Sequence, residues 1–125
     1  MADFAAIADE FVADYNAKNF DAMAAVIAPD IDFTHFNRNF VIQTRDELIG
    51  VLSNFAEDCV PDRHFEPPLR VIVHGNIVIR ESWYAGTAKI DLPGFGMAGE
   101  QFRLKFCSVL RFNDAGILVQ WYDYG

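Results

Sequence analysis

The order of patterns along the chain predicts an α+β fold: helical segments first, then alternating strands to the C-terminus. Three observations carry this. Phe4, Ile7, Ala8, Phe11, Val12 and Tyr15 recur at the spacing of an amphipathic helix. Thr44-Arg45-Asp46-Glu47 reads as a capping box, in which the Thr hydroxyl and the Glu carboxylate each satisfy an orphan N–H at a helix start. Lys105 to Gly125 reads KFCSVLRFNDAGILVQWYDYG, two apolar runs around Asn113-Asp114-Ala115-Gly116. Gly takes φ > 0 freely and Asn or Asp tolerates it, so this is a hairpin.

The first helix spans residues 3 to 18. Asn19 caps a second, shorter one, with Asp21 in its first turn, Met23, Val26 and Ile27 on its apolar side, and Pro29 as its stop. Residues 31 to 36 alternate as a strand, with Phe33 and His35 on one face and Asp32, Thr34 and Phe36 on the other. A third helix runs from Thr44 to about Glu57 and buries Leu48, Ile49, Leu52 and Phe55. Pro61, Pro67 and Pro68 make the next segment a linker. Leu69–Val73 and Ile77–Thr87 form a hairpin about His74-Gly75-Asn76, and residues 88 to 99 form a glycine-rich loop whose Ile90, Leu92, Phe95 and Met97 suit a lid or a tucked-in cover. Gln101–Phe112 and Ile117–Tyr124 complete the sheet. The whole chain, 1–125, reads as one domain.

Composition supports a packed core: 52% of residues are hydrophobic and twelve are Phe. The net charge of −8 argues against nucleic acid or an anionic membrane as partner. No apolar run approaches the roughly 18 residues of a membrane span, and the first residues carry acids where a secretory signal carries bases. Cys59 and Cys107 read as reduced thiols of a cytoplasmic protein, a single disulfide being the alternative. No CxxC or HExxH pattern announces a metal site, and no cofactor is expected.

The final strand holds the chemical anomaly. Ile117, Val119, Trp121 and Asp123 share a face, opposite Leu118, Gln120, Tyr122 and Tyr124. A carboxylate in line with a tryptophan on an apolar face is costly unless it is paired, hydrogen-bonded or facing a cavity.

The segments NFDAMAAVIAPDIDF, TRDELIGVL, WYAGT and SVLRFNDAGILVQWYDYG together resemble the nuclear-transport-factor-2-like superfamily, nearest its SnoaL-like polyketide cyclases, ketosteroid isomerases and limonene-epoxide hydrolases. The resemblance implies a cone-shaped, cystatin-like roll: three N-terminal helices on a curved, mainly antiparallel sheet that encloses an apolar pocket. It implies dimers formed through the outer face of the sheet. WYDYG is similar to the hydrolases' W-x-D-Y ending, which points Trp121 and Asp123 inward. SVLRF is similar to an isomerase strand and puts Ser108 where those enzymes bury an oxyanion-binding acid; their catalytic base matches His35, and the helix position of their phenol matches Phe11. The hydrolases' Arg-x-Asp matches Arg80-Glu81-Ser82, with Ser82 in place of the second acid.

His35 is therefore the expected base, with an unperturbed pKa of about 6.5. Asp123 holds His35 in one tautomer, pairs with Arg80, or acts as an acid itself. Arg80, Ser82, Ser108 and Tyr84 are donors able to steady an enolate, and Phe33 and Trp121 line the ligand site. The expected activity is cofactor-independent acid–base chemistry on an apolar or aromatic carbonyl compound: isomerisation, cyclisation or dehydration. The rivals are a binding or interaction module without turnover and a hydrolase of the limonene-epoxide type. Trp83, Tyr122 and Tyr124 on the opposite face lead to a homodimer as the expected assembly.

Overall fold

The computed structural model describes residues 3–125. Helix α1 is Phe4–Asn16, capped by the Asp3 carboxylate, which accepts from the Ala6 N–H at 3.1 Å. Lys18 then takes φ 59°, which turns the chain into α2 (Phe20–Ala25), capped by Asn19 as expected. Helix α2 stops four residues before Pro29, which lies instead within strand β1 (Ile27–His35). Proline has no N–H to give a ladder, and the β1 register is interrupted between Ile27 and Asp32, where Pro29 sits. Phe36–Arg38 is a 3₁₀ turn rather than the end of the strand, and Asn39 at φ 54° reverses the chain into β2 (Phe40–Ile42), which has no sequence signature.

Helix α3 is Arg45–Asn54. Thr44 accepts from the Glu47 N–H at 3.3 Å, but the reciprocal Glu47 bond is absent among the described residues, so half of the capping box forms. The helix then widens into a π turn, Phe55–Cys59, closed by Val60 N–H to Phe55 C=O. The proline segment is no pure linker: His64–Phe65 is strand β3, fastened to α1 by paired 2.9 Å bonds between Asn16 and the Phe65 backbone. Strands β4 (Arg70–His74), β5 (Ile77–Thr87), β6 (Gln101–Phe112) and β7 (Leu118–Tyr124) follow.

The sheet runs β2-β1-β7-β6-β5-β3, with β4 also paired to β5. All its ladders are antiparallel except β1 with β7. The helices pack on the concave face. Phe11 meets Trp121 edge-on at 5.4 Å and Phe4 stacks on Phe112. Strand β6 keeps its alternation, with Phe106, Ser108, Leu110 and Phe112 inward. Strand β7 keeps it only in part. Arg111 pairs with Gln120 and Phe112 with Leu118, so Val119 is extra; this bulge turns Leu118 into the core, while Trp121 and Asp123 stay inward. Among the described residues, Cys59 and Cys107 are free thiols, and no helix is long and apolar enough to cross a membrane.

Two glycines separate backbone need from habit. A Cβ on Gly86 would overlap Val60 and lie 3.3 Å from the Arg63 Cα, because the turn after α3 crosses β5 there. Gly50 has nothing within 4 Å and is exposed on α3. Gly86→Ala should lower stability by about 1–3 kcal/mol, whereas Gly50→Ala should raise it by about 0.5–1 kcal/mol. Urea unfolding of both variants checks the pair.

Candidate functional site

The β1–β7 register sets Phe33 beside Trp121 and His35 beside Asp123. Between this wall, α3 and β5–β6 lies a cavity of about 240 Å³. Its surface is aromatic, with Phe33, Phe65, Tyr84, Phe95, Phe106 and Trp121 among the lining residues, and its polar groups are few: Tyr15, His35, Arg38, Tyr84 and Asp123.

Asp123 is 3% exposed. Its Oδ1 accepts from the Trp121 indole N–H at 2.7 Å. Burial pushes its pKa up to about 6; hydrogen bonding from Ser108 and Trp121 and the nearby Arg38 charge hold it from rising further. His35 moves the other way. Burial and the positive Arg38 disfavour the imidazolium and lower its pKa to about 4. Its Nε2 lies 3.4 Å from Arg38 Nη1 and its Nδ1 is buried without a partner, so neither ring nitrogen bonds Asp123 although the two residues are neighbours.

Tyr15 and Tyr84 face each other, hydroxyl to hydroxyl, at 2.7 Å. One hydroxyl proton fills that bond, and the other has no protein acceptor among the described residues. Burial raises Tyr15 to about 12 and Tyr84 well above the ordinary phenol value, so both are neutral donors.

The expected residues divide three ways. His35, Asp123, Phe33, Tyr84 and Trp121 border the main cavity. Arg80 and Ser108 border a smaller hollow beneath Trp121, and Ser82 is buried but borders neither. Arg80 does not pair with Asp123. It reaches α1 and ion-pairs with Asp9. Phe11, aligned with the isomerase phenol, faces the smaller hollow, and the phenol of α1 that enters the main cavity is Tyr15, one turn on.

Arg38 and Tyr15 are the site residues that sequence reasoning misses. Tyr15 is visible as the end of the α1 apolar stripe. Arg38 follows β1 in a stretch without periodicity and gives no signal. It bonds the Gly125 carbonyl and, at 3.1 Å, the Gly94 carbonyl, with its guanidinium carbon 4.1 Å above the Phe95 ring. Among the described residues, no three His, Cys, Asp or Glu side chains gather closely enough to hold a metal ion.

The model of the SnoaL-like domain matches residues 8–121. The chain belongs to the SnoaL-like family. No curated protein matches it. Solved structures that resemble it include one described as a polyketide cyclase from Xanthomonas campestris pv. campestris, with TM-score 0.83 and 18% identity over 98% of this chain and 89% of that one. An LEH-like epoxide hydrolase of M. tuberculosis aligns with TM-score 0.73 and 18% identity over 94% and 78%. A protein described as a ketosteroid isomerase from Kribbella flavida DSM 17836 aligns with TM-score 0.71 and 17% identity over 95% and 74%. At these identities the likeness carries the fold, an α+β cone shared by the SnoaL-like chain and all three.

The charges separate on stability. The rise of Asp123 from 3.8 to about 6 corresponds to about 3 kcal/mol held below pH 3.8 and lost as pH climbs through 6. Asp123→Asn, which mimics the protonated form, should therefore match wild type at pH 4 and exceed it by up to about 3 kcal/mol at pH 8. The depressed His35 has the opposite sign: its stability is present above 6.5 and lost as pH falls through 4, in both proteins alike. Asp9→Ala should instead destabilise by about 1–3 kcal/mol, because Arg80 is buried and Asp9 is its salt-bridge partner. Denaturant unfolding from pH 4 to 8 distinguishes these outcomes.

Proposed function

We propose that this chain is a cofactor-independent acid–base catalyst that moves a proton at a carbon next to a carbonyl in an apolar, ring-bearing small molecule. The observation that carries this reading is Asp123: a buried carboxylate, lifted to about 6, in an aromatic cavity that also holds a tyrosine pair with one hydroxyl proton to spare. A base should titrate near the working pH, and Asp123 does. His35, at about 4, is too weak a base at neutral pH, so the base is Asp123 and His35 is its neutral neighbour.

In the forward step the Asp123 carboxylate takes the α-proton while the carbonyl oxygen gains the electron pair as an enolate. The free hydroxyl of the Tyr15–Tyr84 pair donates to that oxygen, and Arg38 adds a positive field. Return of the proton from Asp123 to another carbon completes an isomerisation; closure onto a second carbonyl completes a cyclisation. The aromatic walls exclude water, which strengthens each of these interactions. The alternative of hydrolysis is less well supported, because Arg80 stands with Asp9 rather than beside a cavity carboxylate.

The partner of the fold on this reading is a second copy. Trp83, Val109 and Tyr122 are half-buried on the outer face of the sheet, and every residue of β4 is exposed, with Ile72 at 45% and Val73 at 47%. Sedimentation at micromolar concentration should show a dimer; a monomer overturns this part.

For the chemistry, 2-tetralone in D₂O is a suitable carbon acid, with α-deuteration read by NMR. Wild type should accelerate exchange, rising about tenfold per pH unit up to pH 6 and then levelling as Asp123 becomes ionised. Asp123→Asn should lose about 10²–10⁴-fold of that rate, and His35→Gln much less. Equal rates for wild type and Asp123→Asn would sink the proposal.

A further inference from the structure

Arg63 is 1% exposed, and Nε, Nη1 and Nη2 all lack a hydrogen-bond partner. A buried guanidinium normally sits against a carboxylate, since an unpaired charge in the interior is expensive. The acids nearest in sequence are committed elsewhere. Asp62 accepts from the Thr87 N–H at 2.7 Å and the Thr87 hydroxyl at 2.8 Å, and Glu66 holds Arg103 through two bonds. What Arg63 meets instead is the face of Tyr15: its guanidinium carbon lies 4.0 Å from the ring centroid, with Phe20 at 5.8 Å.

This placement is built rather than incidental. The Arg63 N–H bonds Val60 C=O in the tight turn after α3, Asp62 ties that turn to the end of β5, and Asn16 ties the following strand to α1 right beside Tyr15. Gly86 leaves the room through which the Arg63 backbone passes. A fixed cation thus stands behind the ring whose hydroxyl, on the cavity side, is bonded to Tyr84.

We infer that Arg63 is a positioning residue for the tyrosine pair: its guanidinium, stacked on Tyr15, draws negative charge onto that phenol and so strengthens the pair as a hydrogen-bond donor to an oxygen that gains charge in the cavity. This rests on the proposed role of the pair toward substrate. The cation favours electron density on the phenol oxygen and works against the desolvation that otherwise raises Tyr15. Asp123 opposes it from the cavity side, and Arg38 lies near Tyr84, so the charges around the pair are Arg63 behind and Asp123 and Arg38 in front. Among the described residues the Arg63 guanidinium stacks on Tyr15 and not on Tyr84, so the two phenols become unequal, with Tyr15 the more acidic.

The test uses the whole chain labelled with 3-fluorotyrosine, which lowers every phenol pKa and lets ¹⁹F NMR follow each of the four tyrosines. In wild type Tyr15 should titrate before Tyr84; the reverse order overturns the inference without any Arg63 variant. Arg63→Met should raise Tyr15 by about one pH unit, a tenfold loss of acidity, and Arg63→Lys should restore most of it. An unchanged Tyr15 in a folded Arg63→Met also overturns it. With 4-nitrophenol as probe, whose visible absorbance distinguishes phenolate from phenol, Arg63→Met should lower the bound phenolate fraction in step with Tyr15. If Tyr15→Phe leaves 4-nitrophenol binding unchanged while Arg63→Met still shifts Tyr15, the pair's role toward substrate falls and the action of Arg63 on Tyr15 stands.

Discussion

The parallel pairing of β1 with β7 is the contact on which the rest of the molecule depends. It joins the strand after the first two helices to the last strand of the chain, and it is the one parallel ladder in an otherwise antiparallel sheet. Its register puts Phe33 against Trp121 at 4.9 Å and His35 beside Asp123. Without it, α1 and α3 have no common wall to cover and the cavity has no floor. The bond from the Leu118 N–H to the Val26 carbonyl starts the ladder, and the contacts of Arg38 and Asn37 with Gly125 finish it. A parallel pair of this kind cannot be made by a local turn, so the site is assembled only by long-range packing.

That dependence decides which features are legible in the sequence. Patterns of period two or near four can be read because they follow from which face is dry: the α1 stripe, the β6 alternation and the inward Trp121 and Asp123 all stand. The errors fall where backbone detail overrides pattern. Val119 bulges and reverses Leu118, Pro29 interrupts a strand instead of ending a helix, and two residues between prolines still pair as β3. Asp123 is recognisable as an anomaly because a carboxylate breaks an apolar face. Its relation to Arg80 is not, since the Asp9 that takes Arg80 is largely solvent-exposed and looks from sequence like any charge on the outer side of a helix. Arg38 is invisible for the opposite reason: its role comes from what surrounds it, two carbonyls from remote segments and two rings.

The electrostatics of the site follow one rule applied to several groups. Removing water raises an acid and lowers a base, and the cavity does both, leaving Asp123 near neutrality, His35 uncharged and both phenols protonated. The two arginines, one lining the cavity and one buried behind it, bring positive charge to a region that holds a single carboxylate. That balance suits a reaction in which negative charge migrates from the base toward an oxygen of the substrate.

The π turn after α3 carries a consequence for how such a cavity changes shape over generations. Its i to i+5 bond holds one residue more than an α turn would, and Phe55 and Ala56 are set by that surplus, the first against Phe95 at the cavity lip and the second in the core. Loss of one codon here would restore ordinary helical spacing and swing the following residues by about 100°, withdrawing aromatic bulk from the lip without altering any polar group of the cavity. The width of the opening is thus governed by chain length at one point, and the chemistry within by side chains elsewhere, so that insertion or deletion and substitution act on different properties of the same pocket.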